Sequence, residues 1–90
     1  MFKTFNALIG TTKTKVVDAE DSCDRTVRLW GETTGNYHMA IVAAGSGTPA
    51  GADFYRQEPE LIEDFTLPED YELWVFDPSG DHYVFGIVTR

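Results

Sequence analysis

Apolar and polar residues alternate along much of this chain, in short runs separated by turn residues. In Arg25-Thr26-Val27-Arg28-Leu29-Trp30-Gly31, Val27 and Leu29 face one way and Thr26, Arg28 and Trp30 the other. The run from Tyr37 to Val42 repeats the pattern, with Tyr37, Met39 and Ile41 on one face. From His82 to Thr89, Tyr83, Phe85 and Ile87 share one face and Val84 and Val88 the other, with Gly86 a position for a bulge. A period of two over four to eight residues, rich in aromatic and β-branched side chains, predicts half-buried strands. Further strands are predicted over Thr14–Ala19, Leu61–Leu67 and Tyr71–Phe76. No segment keeps a 3.6-residue period for long, so little helix is expected.

The connections supply the punctuation. Thr33-Thr34-Gly35-Asn36 and Pro68-Glu69-Asp70 are turn sequences, and Asp77-Pro78-Ser79-Gly80-Asp81 predicts a hairpin joining the last two strands. Ala43 to Glu60 holds three glycines and two prolines with few large apolar residues, and predicts a long surface loop pinned by Phe54 and Tyr55. The expected fold is all-β: a small antiparallel β-sandwich or partly open barrel of six to seven strands, occupying residues 11–90. Residues 1–10 form an N-terminal arm or edge strand. Phe2, Phe5 and Leu8 fall at helix-like spacing, while Phe5-Ala7-Ile9 fits alternation. Four large apolar side chains in nine residues need cover, either on the chain's own sheet or on a neighbour.

Length sharpens this reading. Ninety residues make one domain, able to bury roughly 60 to 65% of its unfolded surface. Seven Lys and Arg against fifteen Asp and Glu give a formal charge of −8. Lys3, Lys13 and Lys15 give the first fifteen residues +3 with no acid, so the remainder carries −11. An acidic body argues against binding to a phosphate backbone, whereas the basic N-terminal end suits an acidic neighbour. Cys23 is the one cysteine, so no intrachain disulfide is available. No apolar run approaches the ~20 residues of a membrane span, and residues 1–9 do not read as a secretory leader. A protein made in the cytoplasm is expected, with no nucleic-acid or membrane partner.

Candidate chemistry is sparse. Asp18, Glu20, Asp21 and Asp24 offer oxygen ligands, but without the spacing and glycine of a calcium loop; self-capping turn residues are the simpler reading. Glu58, Glu60, Glu63, Asp64, Glu69, Asp70 and Glu72 make an acidic stretch. Carboxylate pairs hydrolyse glycosides only within a cleft, which so small a sandwich has little room for. His38 and His82 are expected on outward faces, and Cys23 on an inward one, so neither a metal site nor a Cys–His pair is predicted. Gly45-Ser46-Gly47-Thr48-Pro49 lacks the lysine of a phosphate-binding loop. Trp30, Tyr37, Tyr55, Tyr71 and Trp74 could form a stacking platform or fill the core. An exposed Trp74 indole would mark an interface. No catalytic residue, cofactor or metal is expected.

Taken in order, the Thr-rich opening Thr11-Thr12-Lys13-Thr14-Lys15-Val16-Val17, the Arg25–Trp30 strand, the Gly35-Asn36 turn, the strand and Gly-rich loop that follow, the Leu61–Leu67 stretch, Glu72-Leu73-Trp74-Val75 and the closing Ser79-Gly80-Asp81 hairpin resemble one group of proteins. These are the small β-sandwich capsid decoration, or cement, proteins of tailed bacteriophages. The likeness spans about Thr11 to Val88. It implies a structural virion protein on the head exterior, without enzymatic activity, that bridges neighbouring subunits of the major capsid protein or another virion protein. It also implies a homo-oligomer, with trimers at local threefold axes favoured. The residues expected at the interface are Phe2, Lys3, Phe5, Leu8, Ile9, Phe54, Tyr55 and Trp74. Burying the apolar arm on a neighbour would contribute about 1.5 to 3 kcal/mol per large side chain before ordering costs. The alternatives are a tail or fibre module that binds a host surface through the Ala43–Glu60 loop, and a small hydrolase using Glu63 and Asp64.

Overall fold

The computed structural model describes residues 2–20, 23–32, 36–57 and 62–90. The alternating runs become strands: β1 (Phe2–Ile9), β2 (Thr14–Val17), β3 (Arg25–Gly31), β4 (Tyr37–Ala43), β5 (Tyr55–Gln57), β6 (Glu63–Leu67), β7 (Tyr71–Phe76) and β8 (His82–Thr89). They form two antiparallel four-stranded sheets, ordered β1-β8-β3-β6 (sheet A) and β2-β7-β4-β5 (sheet B). Apart from β4 to β5, each successive connection crosses between the sheets, which is the strand order of a jelly roll. The fold is a small antiparallel β-sandwich, as expected. Seven strands have four residues or more; β5 adds a three-residue eighth inside the segment expected to be loop. The Thr33–Gly35 turn and Leu61 lie outside the described residues.

The core sits between the inner faces. Val27, Leu29, Leu67, Val84 and Ile9 from sheet A meet Val17, Tyr37, Met39, Leu73 and Val75 from sheet B. Alternation therefore assigned the faces of β3 and β4 correctly. It did not assign neighbours. β7 pairs with β2 and β4, and β8 with β1 and β3, so Asp77–Asp81 is not a hairpin. It is an arch from one sheet to the other. Asp77 fixes it: the backbone N–H donates to the Gly10 carbonyl (2.8 Å) and the carboxylate accepts from the Ser79 N–H (2.8 Å). Asp81 packs so closely on Gly10 that a Cβ there would overlap its carboxylate.

The arch also turns His82 inward. It is buried, with Nε2 3.3 Å from the Asp77 carboxylate, where an outward face was expected. Arg25 is a second buried polar residue. It occupies the inward parity of β3, and its guanidinium donates to the carbonyls of Asp18 (2.6 Å), Tyr71 (3.0 Å) and Pro68 (3.4 Å), 3.7 Å from the Glu20 carboxylate. One planar fork thus ties together the chain after β2, the β6–β7 turn and the start of β7. Cys23 is half-buried and outside the core cluster, with Sγ 3.5 Å from the Asp24 carbonyl; it precedes β3, whose alternation starts at Arg25.

The N-terminal arm is an edge strand of its own sandwich. All eight residues of β1 pair with β8, from Phe2 opposite Thr89 to Ile9 opposite His82. Ile9 is 1% exposed and Phe5 is half-buried against the core. Gly86 is no bulge: it stands in register between Phe5 and Leu29, and the Phe5 ring lies over it. Without a side chain, Gly86 leaves a seat for that ring.

Candidate functional site

The two sheets present different outer surfaces. Sheet B is covered by its own chain. The loop after β4 folds back so that Phe54 meets Phe76 edge to face (centroids 4.8 Å apart), and Lys13 lies over both rings at 5.4 and 5.8 Å while donating to the Pro49 carbonyl (2.9 Å). His38, cross-strand from Phe76, packs on its ring at a tilt (5.2 Å). Nearby, the half-buried Trp74 donates from Nε1 to Glu72 (2.9 Å), whose carboxylate also faces Lys15 at 3.5 Å. Lys15 reaches Asp18 at 3.3 Å as well, and that hydrogen bond, followed by the charge of Glu72, raises its pKa. Lys13, Lys15, Glu72 and the Trp74 indole thus already have partners.

Sheet A carries no such cover among the described residues. Strand register arranges its outer side chains in rows across the sheet. Leu8 lies opposite Tyr83; Asn6, Phe85 and Trp30 form the next row; Thr4, Ile87, Arg28 and Asp64 the third; Phe2, Thr89, Thr26 and Thr66 the last. Rings from two rows make a ladder: Trp30 and Phe85 stack at 6.0 Å and 29°, Phe85 and Tyr83 at 6.4 Å and 21°. Phe2 is 69%, Leu8 58% and Tyr83 45% exposed. Arg28 and Asp64 are the charged pair of these rows, joined by two hydrogen bonds of 2.8 and 3.1 Å. Those bonds, with the guanidinium charge adding, hold the Asp64 carboxyl below its usual range and raise Arg28. Glu32 extends the first row beyond Tyr83: its backbone N–H donates to the Tyr83 carbonyl (3.0 Å) and its carboxylate accepts from the Tyr83 N–H (2.6 Å). With Arg28 and Asp64 cancelling, these rows carry one net negative charge on a chain of −8. An aromatic and threonine-rich face of low charge on an acidic body is the feature that calls for a partner.

The sequence-predicted interface residues divide accordingly. Phe2 and Leu8 are on this face. Phe5 and Ile9 are not available to a neighbour while β1 keeps its place, since alternation turns the odd-numbered residues into the core. Phe54 is used on the chain's own sheet B, and Trp74 is half-buried there. Tyr55 pairs through its backbone with Met39; its side chain lies outside the described set. Lys3 lines a cavity of about 340 Å³ at the open edge between β1 and β2, where Phe5, Val16, Val17 and Val88 form apolar walls and Glu20, Arg25 and Arg90 charged ones. Glu20 pairs there with both arginines. Trp30, Tyr83 and Phe85 were the residues missed as a group. Their outward parity was legible, but their adjacency depends on β8 lying between β1 and β3.

Among the acidic residues flagged as ligands, Asp18 faces Lys15, Glu20 faces the arginines and Asp24 accepts from the Glu69 N–H (2.9 Å). Asp21, Glu58 and Glu60 lie outside the described residues. Among the described residues no three His, Cys, Asp or Glu are grouped to hold a metal ion, and no helix is long and apolar enough to cross a membrane.

No family model and no curated protein matches the chain. Among solved structures it superimposes on a subunit of the Bacillus endospore appendages, described as a family of disulfide-linked pili. The TM-score is 0.64 over 100% of this chain and 85% of that one, at 10% identity. At that identity the likeness is one of fold: a subunit that builds an extended protein assembly has the same β-sandwich architecture.

Proposed function

We propose that this chain is a structural subunit of a protein assembly, docked through the outer face of sheet A, and that the assembly is a phage head to whose exterior it binds as a cement protein. The observation that carries the reading is the uncovered ladder of Trp30, Phe85 and Tyr83 with Leu8 and Phe2 beside it, where Glu32 is the one unbalanced charge of the rows and is tied down by the Tyr83 N–H. Burying such a face on a capsid subunit needs neither an active site nor a cofactor. The acidic remainder keeps free copies soluble until they dock. The resemblance of the element order to cement proteins supports the finer assignment.

The test is genetic and then biochemical. Heads made without this reading frame are predicted to disrupt at lower temperature, and added purified protein is predicted to bind them and restore the loss. Binding should fail for the Trp30→Ser, Tyr83→Ser variant. Heads that neither bind the protein nor change in stability would refute the assignment.

A filament subunit is a second reading, favoured by the fold shared with the pilus protein. These 90 residues hold one cysteine, and one thiol per subunit can link copies only in pairs. A filament of this chain would therefore have to cohere through its sheets. Electron microscopy of the concentrated protein alone separates the readings: fibres for the filament, none for the cement protein.

A further inference from the structure

A sandwich of two open sheets has four edges, and natural proteins blunt such edges by shortness, bulges, charge or proline. Three edges here are blunted. β2 has four residues and a register shift between Lys15 and Val17; β5 has three residues; β6 has five, includes Glu63 and Asp64, and runs into Pro68. β1 is not. It runs for eight residues without a register shift, proline or glycine, and its one charge is Lys3, next to its start. Its neighbour in the sheet order is β8, which leaves the other edge without a strand.

We propose that β1 pairs with β1 of a second copy, antiparallel about a twofold axis through Phe5, joining two four-stranded A sheets into one. Side-chain parity restricts the register. Outer residues must oppose outer residues, because a one-residue slip would turn the core face of one copy to solvent in the other. Of the twofold registers that meet this condition, the one centred on Phe5 places Phe2 opposite the second copy's Leu8, and Leu8 opposite its Phe2. The two most exposed large apolar side chains among the described residues then cover each other twice. Thr4 faces the second copy's Asn6, and the lone lysine faces Ala7 rather than another lysine. Centring on Asn6 instead would leave Phe2 overhanging and set Lys3 against buried Ile9. The dimer does not rest on the docking proposed above. It would bring two aromatic faces side by side on one continuous sheet.

Sedimentation equilibrium over a concentration series tests the association, with melting curves confirming that each variant is folded. The protein is predicted to be in monomer–dimer equilibrium. Leu8→Glu is predicted to raise the dissociation constant at least tenfold, and Phe2→Lys in the same chain to recover part of that loss, since each new lysine would face a new glutamate. The register is read by oxidative cross-linking in a Cys23→Ser background: Thr4→Cys protein mixed with Asn6→Cys protein should give the mixed dimer in preference to either self-dimer. A monomer at every concentration, or a dimer indifferent to Leu8→Glu, overturns the proposal. Preferential self-cross-linking of Asn6→Cys overturns the register.

Discussion

Replacing Gly86 by alanine tests how β1 is seated. A Cβ at Gly86 would fall inside the van der Waals envelope of the Phe5 ring, 3.0 Å from Cε2 and nearer to two other ring carbons. The ring would have to leave its seat, and overpacking of this kind costs about 1–3 kcal/mol. Against this, Gly86 does not have positive φ. Alanine at a compatible backbone position gains about 0.4–1 kcal/mol by restricting the unfolded chain. The net effect is a loss of up to about 2.6 kcal/mol, and about 1.3 kcal/mol at the middle of both ranges. In a chain of 90 residues, each kcal/mol shifts Tm by about 4–8 °C. Once Phe5→Ala has removed the ring, only the favourable part remains, and Gly86→Ala should stabilise by about 0.4–1 kcal/mol. The sign of one substitution thus reverses with the identity of its cross-strand neighbour. Urea unfolding of the four proteins, followed by tryptophan fluorescence, measures it. Equal effects of Gly86→Ala in both backgrounds would refute the pairing of Phe5 with Gly86, and with it the placement of β1 in sheet A.

Three further outcomes are expected. Arg25→Met strands carbonyls that the buried guanidinium now satisfies and should cost at least about 2 kcal/mol, read as a lowered urea midpoint at unchanged slope; a neutral result would remove Arg25 as the tie between β3 and the β6–β7 turn. Arg28 lowers the folded-state pKa of Asp64, so their pairing stabilises above the ordinary carboxylate range and is lost as pH falls through the lowered folded value. Asp64→Asn should flatten that part of the acid stability profile, and a profile identical to that of the parent would exclude the pair as its source. The Leu8→Ser, Tyr83→Ser variant removes two partly exposed side chains from the aromatic face. Losing the Leu8–Tyr83 and Tyr83–Phe85 pairs should lower its unfolding free energy by no more than about 2 kcal/mol, leaving it folded while binding to heads is lost; retained binding would move the docking site elsewhere.

Much of the architecture was legible in the sequence because the face of a strand residue follows from its parity. Val27 and Leu29 against Thr26, Arg28 and Trp30, and Tyr37, Met39 and Ile41 against their neighbours, were read from alternation alone. Parity carries no information about which strands adjoin. Asp-Pro-Ser-Gly-Asp joins two strands equally well as a hairpin or as an arch, and the choice is made by the contacts of Asp77 with Gly10 and His82, far apart in the chain or hidden in the turn. No local pattern marks Arg25 as buried, since a burial site lined with backbone carbonyls exists only once the chain after β2, the β6–β7 turn and β7 have assembled around it.

The candidate site was half legible for the same reason. Phe2 and Leu8 were identified as apolar side chains in need of cover, and they remain exposed. Phe5 and Ile9 were grouped with them because the segment's helix-like and strand-like spacings were both open. Pairing with β8 separates the four into two that complete the core and two that join the aromatic face. The ladder itself draws on β3 and β8, some fifty residues apart in the sequence, and no local pattern announces it.

The central claim, that the outer face of sheet A is where this subunit meets its assembly, is tested most directly by a reconstructed map of a particle that carries it. With the jelly roll fitted into its density, the account predicts Trp30, Tyr83 and Phe85 buried against a neighbouring subunit and the loop-covered face of sheet B turned away. A map in which the aromatic ladder faces solvent and sheet B makes the contact would contradict it.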